Sequence, residues 1–389
     1  MKKIRFAIVG FGNMGTAHAN NLYEGKIENG LLSAIVDTNI DNLTKAKNKF
    51  GDKVSYYNTI DELILSNNTD AIIIATPHYS HSELSIKALK AGYNVICEKP
   101  AGVYTKQVKQ MNDVASQSKG LFTIMFNQRT NSLYRKMREI VLEKGIGEIK
   151  RINWLITNWY RSQSYYDSSE WRATWAGEGG GVLVNQCPHQ LDLLQWVTGM
   201  MPFKIHAFCH FGKWHDIEVE DDVTAYIEYA NGATGVFVTS TADCPGTNRF
   251  EILGTLGKLV CENENLTYTK LVEDEREYTK SFTGGFGEPK SEVIPVELDG
   301  KNPQHIGILN NFANAVLGLE PLFVDGREGI KGVEIMNAIL LSQWLGKAIE
   351  MPFDDDLYYD ELKKFIAISK PKKKGSVTLN VSETYGGSK

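Results

Sequence analysis

The sequence predicts an α/β protein of two domains. The first, residues 1–125, is built on a parallel, doubly wound sheet, and the second, 126–389, is an α+β domain on a large, mostly antiparallel open sheet. Three observations carry this. The first ~125 residues alternate short β-branched runs with segments of helical period, the pattern of a parallel sheet with helices on both faces. Several of those runs are almost wholly apolar, as strands buried on both sides require. After about residue 145, strand-like runs follow one another with few helical spacers, and Asn231-Gly232 between two of them is a hairpin turn.

The strands expected in the first domain are Ile4–Val9, Leu32–Val36, Val54–Tyr57, Ala71–Ala75, Asn94–Cys97 and Phe122–Phe126, with helices such as Ser82–Ala91 and Thr105–Ser118 between them. In the second domain Ile152–Asn158, Phe203–Phe211, Thr224–Tyr229 and Thr234–Thr239 read as strands. One embedded helix runs from Pro188 to Thr198, with proline at its start and Gly199 at its close. Two later helices, near Gln304–Leu317 and Glu328–Ile349, are expected to pack back on the sheet or the first domain. A terminal arm with a strand at Val377–Val381 ends the chain.

The chain of 389 residues is long enough for two cores, and its formal net charge of -5 argues against a nucleic-acid or anionic-membrane partner. The basic run of Lys370 and Lys372 to Lys374 reads as a solvated linker. Five scattered cysteines without CxxC spacing predict free thiols in a reducing compartment. The apolar run after Lys3 reaches glycine too soon for a signal peptide, and no stretch is long enough to span a bilayer. A cytoplasmic protein is expected.

The first strand runs into Gly10-Phe11-Gly12-Asn13-Met14-Gly15, and a helix follows. In that context a GxGxxG turn is the dinucleotide-binding (Rossmann) fingerprint. Gly10 permits the tight turn, Gly12 lets the backbone approach a pyrophosphate, and Gly15 allows close helix–strand packing. The helix N-terminus offers free N–H groups to the phosphates. Asp37, at the end of the second strand, suits the ribose hydroxyls and repels a 2′-phosphate, so NAD is favoured over NADP.

The strand Asn94–Cys97 ends in Glu98-Lys99-Pro100, where open α/β sheets bind ligands. A lysine there can stabilise a developing alkoxide. These residues, with Gly10–Gly15, Thr76-Pro77 and His81, resemble the glucose–fructose oxidoreductase, inositol dehydrogenase and MocA family. So does Gly179-Gly180-Gly181-Val182-Leu183-Val184-Asn185 followed by His189 and Asp192, and so does Asp325-Gly326-Arg327-Glu328-Gly329. The resemblance covers nearly the whole chain and names no single substrate. It implies that Lys99 is the catalytic lysine and His189 the general acid/base. Asn185 stands where many members have an aspartate that orients this histidine, and Asp192 is the other candidate for that role. Glu98, Lys99 and Pro100 would shape the nicotinamide end, and Ala75, Thr76, Pro77, His81 and Gln128 would join them on the cofactor side.

The substrate would be a sugar, glycoside or inositol-like polyol oxidised at a secondary hydroxyl. The 154–175 segment is rich in aromatics, which suit a sugar ring. Tyr165, Trp171 and Arg172 are the expected contacts there, with Lys99, Asn185, His189 and His215. The glycines 179–181 are read as a close approach of backbone to ligand. His206, His210, His215 and Asp216 are read without a metal. Two other readings stay open: an NAD-dependent glycosidase that oxidises its sugar transiently, and a non-catalytic NAD-binding sensor. The open sheet would leave an apolar face, so homo-oligomerisation through it is expected, as a dimer or tetramer.

Overall fold

The computed structural model describes residues 3–370 and Lys372. The first domain runs β1 (Ile4–Val9), α1 (Asn13–Tyr23), β2 (Gly30–Val36), α2 (Ile40–Phe50), β3 (Ser55–Tyr57), α3 (Ile60–Ser66), β4 (Ala71–Ile74), α4 (Tyr79–Lys90), β5 (Asn94–Cys97), α5 (Thr105–Gln117) and β6 (Phe122–Ile124). All six strands are parallel, in the order β3-β2-β1-β4-β5-β6. The order reverses between β1 and β4, and ligands bind at the carboxyl ends beside such a reversal. Every residue of β4 is buried, which explains its unbroken apolar run.

The second domain runs α6 (Ser132–Leu142), β7 (Ile149–Ile156), α7 (Gln163–Asp167), α8 (Val182–Asn185), α9 (Pro188–Thr198), β8 (Lys204–Phe211), β9 (Glu220–Glu228), β10 (Thr234–Ser240), β11 (Asn248–Gly254), β12 (Gly257–Glu262), β13 (Asn265–Leu271), α10 (Glu275–Ser281), β14 (Ser291–Ile294), α11 (Gln304–Val316), α12 (Gly329–Leu345), β15 (Ile349–Glu350) and α13 (Asp355–Ile368). Its nine-stranded sheet has the order β14-β13-β12-β11-β7-β10-β9-β8-β15, with β7 and β10 the one parallel pair. The Asn231-Gly232 turn joins β9 to β10 as the sequence predicts, with Gly232 at φ +84°. Alternation along β8 and β9 buries one face and leaves Phe208 and Tyr226 exposed on the other.

Two side-chain clamps tie the domains together. Arg129, in the turn after β6, forks onto Asp192 of α9, Nε to Oδ2 at 2.8 Å and an Nη to Oδ1 at 2.6 Å. Both side chains are 1% exposed. Asn337 of α12 donates to Val103 O at 2.9 Å and accepts from Thr105 N–H at 3.0 Å. The late helix α12 thus lies between β8 and α9 on one side and α5 on the other.

Some boundaries move. The helix expected to reach Ile349 stops at Leu345, because Gly346 adopts φ +61° and caps it. Ile349 and Glu350 then form an edge strand on β8. The arm strand expected at Val377–Val381 lies outside the described residues. Lys372 is not a solvated linker residue: its Nζ donates to Tyr166 O at 3.0 Å and pairs with Asp167 at 3.1 Å. All five cysteines are free, and among the described residues no helix is long and apolar enough to cross a membrane.

Candidate active site

The glycine turn forms a backbone cradle between β1 and α1. Gly10 sits at φ +94°, and a Cβ there would lie 2.7 Å from Ala75 O and 2.9 Å from Thr76 Cγ2. A Cβ on Gly15 would collide with Gly10 O at 1.8 Å, so α1 can approach β1 only with glycine. Gly12 is different: its Cβ would meet nothing within 4 Å, and it is the N-cap of the 11-residue α1. The open space over Gly12, beside free helix N–H groups, is where a pyrophosphate fits. Phe11 turns its ring into the core against Phe50, and its N–H donates to Asp37 Oδ2 at 2.7 Å. Asn39, not Asp37, is the N-cap of α2. Asp37 is therefore held at the end of β2, facing the glycine turn. Exposed Gly12 and Asn13, half-buried Met14, and Ala75-Thr76-Pro77 after β4 complete a cradle whose features fit NAD.

β5 delivers Glu98 and Lys99 to the same end of the sheet. Glu98 is 3% exposed and accepts from His18 of α1 at 2.7 Å. Burial alone would raise its pKa, but the His18 hydrogen bond and charge bring it down to about 2. Lys99 reaches across to the second domain, donating from Nζ to Asn185 O at 2.9 Å. The Lys99–Pro100 peptide is cis. Burial lowers the Lys99 pKa, opposed by the carboxylates of Glu98 and Glu178.

The second domain answers with a buried polar cluster. Glu178 is 1% exposed, and its Oε2 accepts from Ala173 N–H at 2.5 Å. Its Oε1 accepts from the Asn185 side-chain amide and lies 3.6 Å from Arg172. Arg172 donates to Tyr165 Oη at 2.8 Å and stacks over the rings of Tyr165 and Trp171 at 4.4 and 4.6 Å. Gln186 reaches the same hydroxyl at 3.2 Å. Tyr165, Trp171, Arg172 and Asn185, expected from sequence as substrate contacts, are thus one assembly facing Lys99.

His189 stands in the first turn of α9, edge-on to Phe126, with a buried Nδ1 that has no hydrogen-bond partner. Burial first, then the nearby Lys99 charge, hold its pKa well below the usual imidazole value, so the neutral form is favoured. Two neighbouring imidazoles were not anticipated from sequence. His305, 5.7 Å from the His18 ring, is pushed by burial to about 4. His78 donates from Nδ1 to Glu178 O at 3.3 Å and packs on Trp171 at 5.7 Å. Glu178 had a readable signal, standing directly before the glycine run, whereas nothing local marks His305 or His18.

Several of the expected site residues have partners that their spacing does not indicate. Asp192 does not orient His189, because Arg129 and Gln195 take its carboxylate. The Asn185 side chain turns to Glu178 rather than His189. The ring of His215, expected as a substrate contact, has its Nδ1 held by Asp221 at 3.0 Å and its Nε2 by Arg161 O at 2.9 Å. His81 braces the site instead of lining it, bridging Pro100 O at 2.8 Å and Thr76 O at 2.7 Å. Gln128 points to Gln304 at 3.3 Å. A Cβ on the glycines 179–181 would meet Val103, Val184 and Glu220 O respectively. Among the described residues no cluster of three ligating side chains could hold a metal.

Residues 4–126 match the model of the oxidoreductase family with an NAD-binding Rossmann fold, and residues 134–260 match the GFO/IDH/MocA C-terminal domain. The chain is 26% identical over 333 residues to a myo-inositol 2-dehydrogenase from Thermotoga maritima, covering 84% of this chain and 92% of the relative. It is 24% identical to a levoglucosan dehydrogenase from Pseudarthrobacter phenanthrenivorans, covering 84% and 93%. The crystal structure of the WlbA dehydrogenase from Chromobacterium violaceum, in complex with NADH and UDP-GlcNAcA, superposes with a TM-score of 0.77 at 26% identity, covering 91% of this chain and 97% of that one.

Proposed function

The chain belongs to the GFO/IDH/MocA family and is an NAD-dependent dehydrogenase, and from that premise we propose that it oxidises a secondary hydroxyl of a sugar, glycoside or inositol-like polyol to a ketone. The observation that carries this is that Lys99, at the carboxyl end of β5, lies near enough to His189 of α9 for its charge to lower the imidazole pKa, beside the dinucleotide cradle and opposite the Tyr165–Trp171–Arg172 wall. NAD, when bound, accepts the hydride. His189, held neutral, takes the hydroxyl proton, and the Lys99 ammonium stabilises the oxyanion that forms. The aromatic faces of Tyr165 and Trp171 suit the C–H faces of a sugar ring, and Arg172 and Asn185 suit its hydroxyls. The family and the named relatives support a carbohydrate or polyol substrate.

The test is a screen for NADH formation over pyranoses, glycosides and inositols. At least one is expected to give stoichiometric NADH and a keto product. NAD binding without NADH from any of them would refute the dehydrogenation of this class.

We also propose that the protein self-associates through the open face of the nine-stranded sheet. Phe208, Thr224, Val238 and Leu155 form one cross-strand row there, with Phe208 60% exposed. Light scattering is expected to give a dimer or tetramer that Phe208→Lys breaks down. A reducing, cytoplasmic setting is supported by the five free thiols.

A further inference from the structure

We propose that Glu178 is the positioning carboxylate of this site: it fixes Asn185 and Arg172 and, through Asn185, the placement and charge of Lys99. The inference rests on the dehydrogenase reading above for its catalytic consequence, but not for its geometry.

Glu178 is almost wholly buried, and each oxygen has an assigned partner. Oε2 accepts from Ala173 N–H at 2.5 Å, and Oε1 accepts from the Asn185 amide with Arg172 3.6 Å away. Asn185 is the hinge of the arrangement. Its side chain donates to Glu178, while its backbone oxygen accepts from Lys99 Nζ at 2.9 Å. A shift of Glu178 therefore moves the acceptor that aims Lys99.

The charge argument runs the same way. Around Lys99 stand two carboxylates, Glu98 and Glu178, with Arg172 and the Cys187 thiol. The imidazoles of His78, His81, His189 and His305 complete its surroundings. Glu98 is committed to His18 on the cofactor side. Glu178 is the carboxyl group that faces Lys99 from the second domain: burial raises its own pKa, opposed first by Arg172 and then by the hydrogen bonds from Ala173 and Asn185, and in its ionised form it favours the ammonium of Lys99.

The same contact suits a neutral amide at 185. An aspartate there would press a second buried carboxylate against Glu178, and two such groups cannot both ionise at contact distance. A carboxylate at 178 and an amide at 185 are therefore complementary.

The test uses NAD-loaded protein and the variants Glu178→Gln, Glu178→Asp and Glu178→Gln/Asn185→Asp. Competitive acetylation of Lys99 across pH, read by peptide mass spectrometry, needs no substrate. Glu178→Gln is expected to lower the Lys99 titration by about one unit, and the double variant to restore it. NAD affinity should stay within about twofold, which reports an intact fold. With the sugar identified by the NADH screen, kcat of Glu178→Gln should fall roughly tenfold to hundredfold, and the double variant should regain most of it. An unchanged Lys99 titration in an NAD-binding Glu178→Gln protein overturns the proposal and leaves the dehydrogenase reading intact. A shifted titration with no turnover on any sugar does the reverse. If Glu178→Gln does not fold, Glu178→Asp decides: it must fold and keep the Lys99 titration, and a loss of either overturns the role.

Discussion

The dinucleotide cradle is made of backbone, whereas the wall facing it across Lys99 is made of buried side chains paired over long stretches of chain. In the cradle, glycines set the contacts: Gly10 against Ala75 O, Gly15 against Gly10 O, Gly12 against open space. In the opposite wall, Lys99 meets a residue 86 positions away and Arg129 meets one 63 positions away. A backbone cradle tolerates change in side chains but not in chain geometry. A wall of paired polar groups is the reverse, because removing one partner strands the other away from water.

The largest effect that sharpens this contrast is at the meeting point. Lys99→Met should cut kcat by roughly two to four orders of magnitude, the range for a lost acid–base or oxyanion-stabilising group. NAD affinity, measured by calorimetry, should barely move, because the cradle does not use the lysine side chain. Equal losses in both would merge the two regions into one unit.

Next is the clamp beneath the wall. Asp192→Asn removes the charge that answers the fully buried Arg129, leaving only Glu328 at 3.1 Å. A loss of about 3 kcal/mol in urea unfolding is expected, the cost of breaking a buried, doubly hydrogen-bonded ion pair, at the low end because Glu328 still answers part of the charge. A loss below about 1 kcal/mol, the value of an exposed pair, would mean water reaches the clamp.

The same division decides what the sequence could disclose. The cradle was readable because its determinants are local: a strand, three glycines and an acid at the next strand end. The Glu98-Lys99-Pro100 turn was readable for the same reason. On the far wall the residue types at 165, 171, 172 and 185 were identified, but their partners were not. Asp192 looked like a neighbour of His189 by helix spacing, yet Arg129, from the other domain, takes it. His215 is expected from sequence to meet the substrate, and nothing in its spacing shows that Asp221 and a carbonyl hold both nitrogens. Glu178 and His305 act through contacts that spacing does not encode.

Within the cradle, two glycines should part company. Gly10→Ala forces a Cβ against Ala75 O at positive φ, so it should cost about 1–3 kcal/mol of stability as well as NAD binding. Gly12 has φ -80° and room for a methyl, so Gly12→Ala should leave apo stability within about 0.5 kcal/mol. Its Cβ would occupy the space a pyrophosphate needs, and NAD should bind roughly tenfold or more weakly. Thermal melts with and without NAD separate the two. A Gly12→Ala protein that melts lower without NAD but binds it normally would reverse the assignment.

The smallest effect comes from acid. His305 is held near 4, below the ordinary imidazole value of 6.5, because burial disfavours its charged form. Between those values the unfolded chain takes up a proton that the folded protein refuses. The folded state is therefore favoured above pH 6.5 and loses ground as pH falls toward 4. Glu98 also loses its contribution in acid, but between 4.5 and about 2, so it is silent from pH 7 to 5. In that window Glu220, raised by burial to about 7, takes up a proton in the folded state and works the other way, so the His305 contribution is read as a difference from the parent: His305→Gln should remove about 1 kcal/mol of acid loss, discounted for its partial exposure. His78, His81 and His189 are depressed as well, so the variant should retain part of the slope. A His305→Gln protein as acid-sensitive as its parent would mean that the depressed titration of this imidazole does not contribute to stability, and that the boundary between the dry wall and the cradle lies elsewhere.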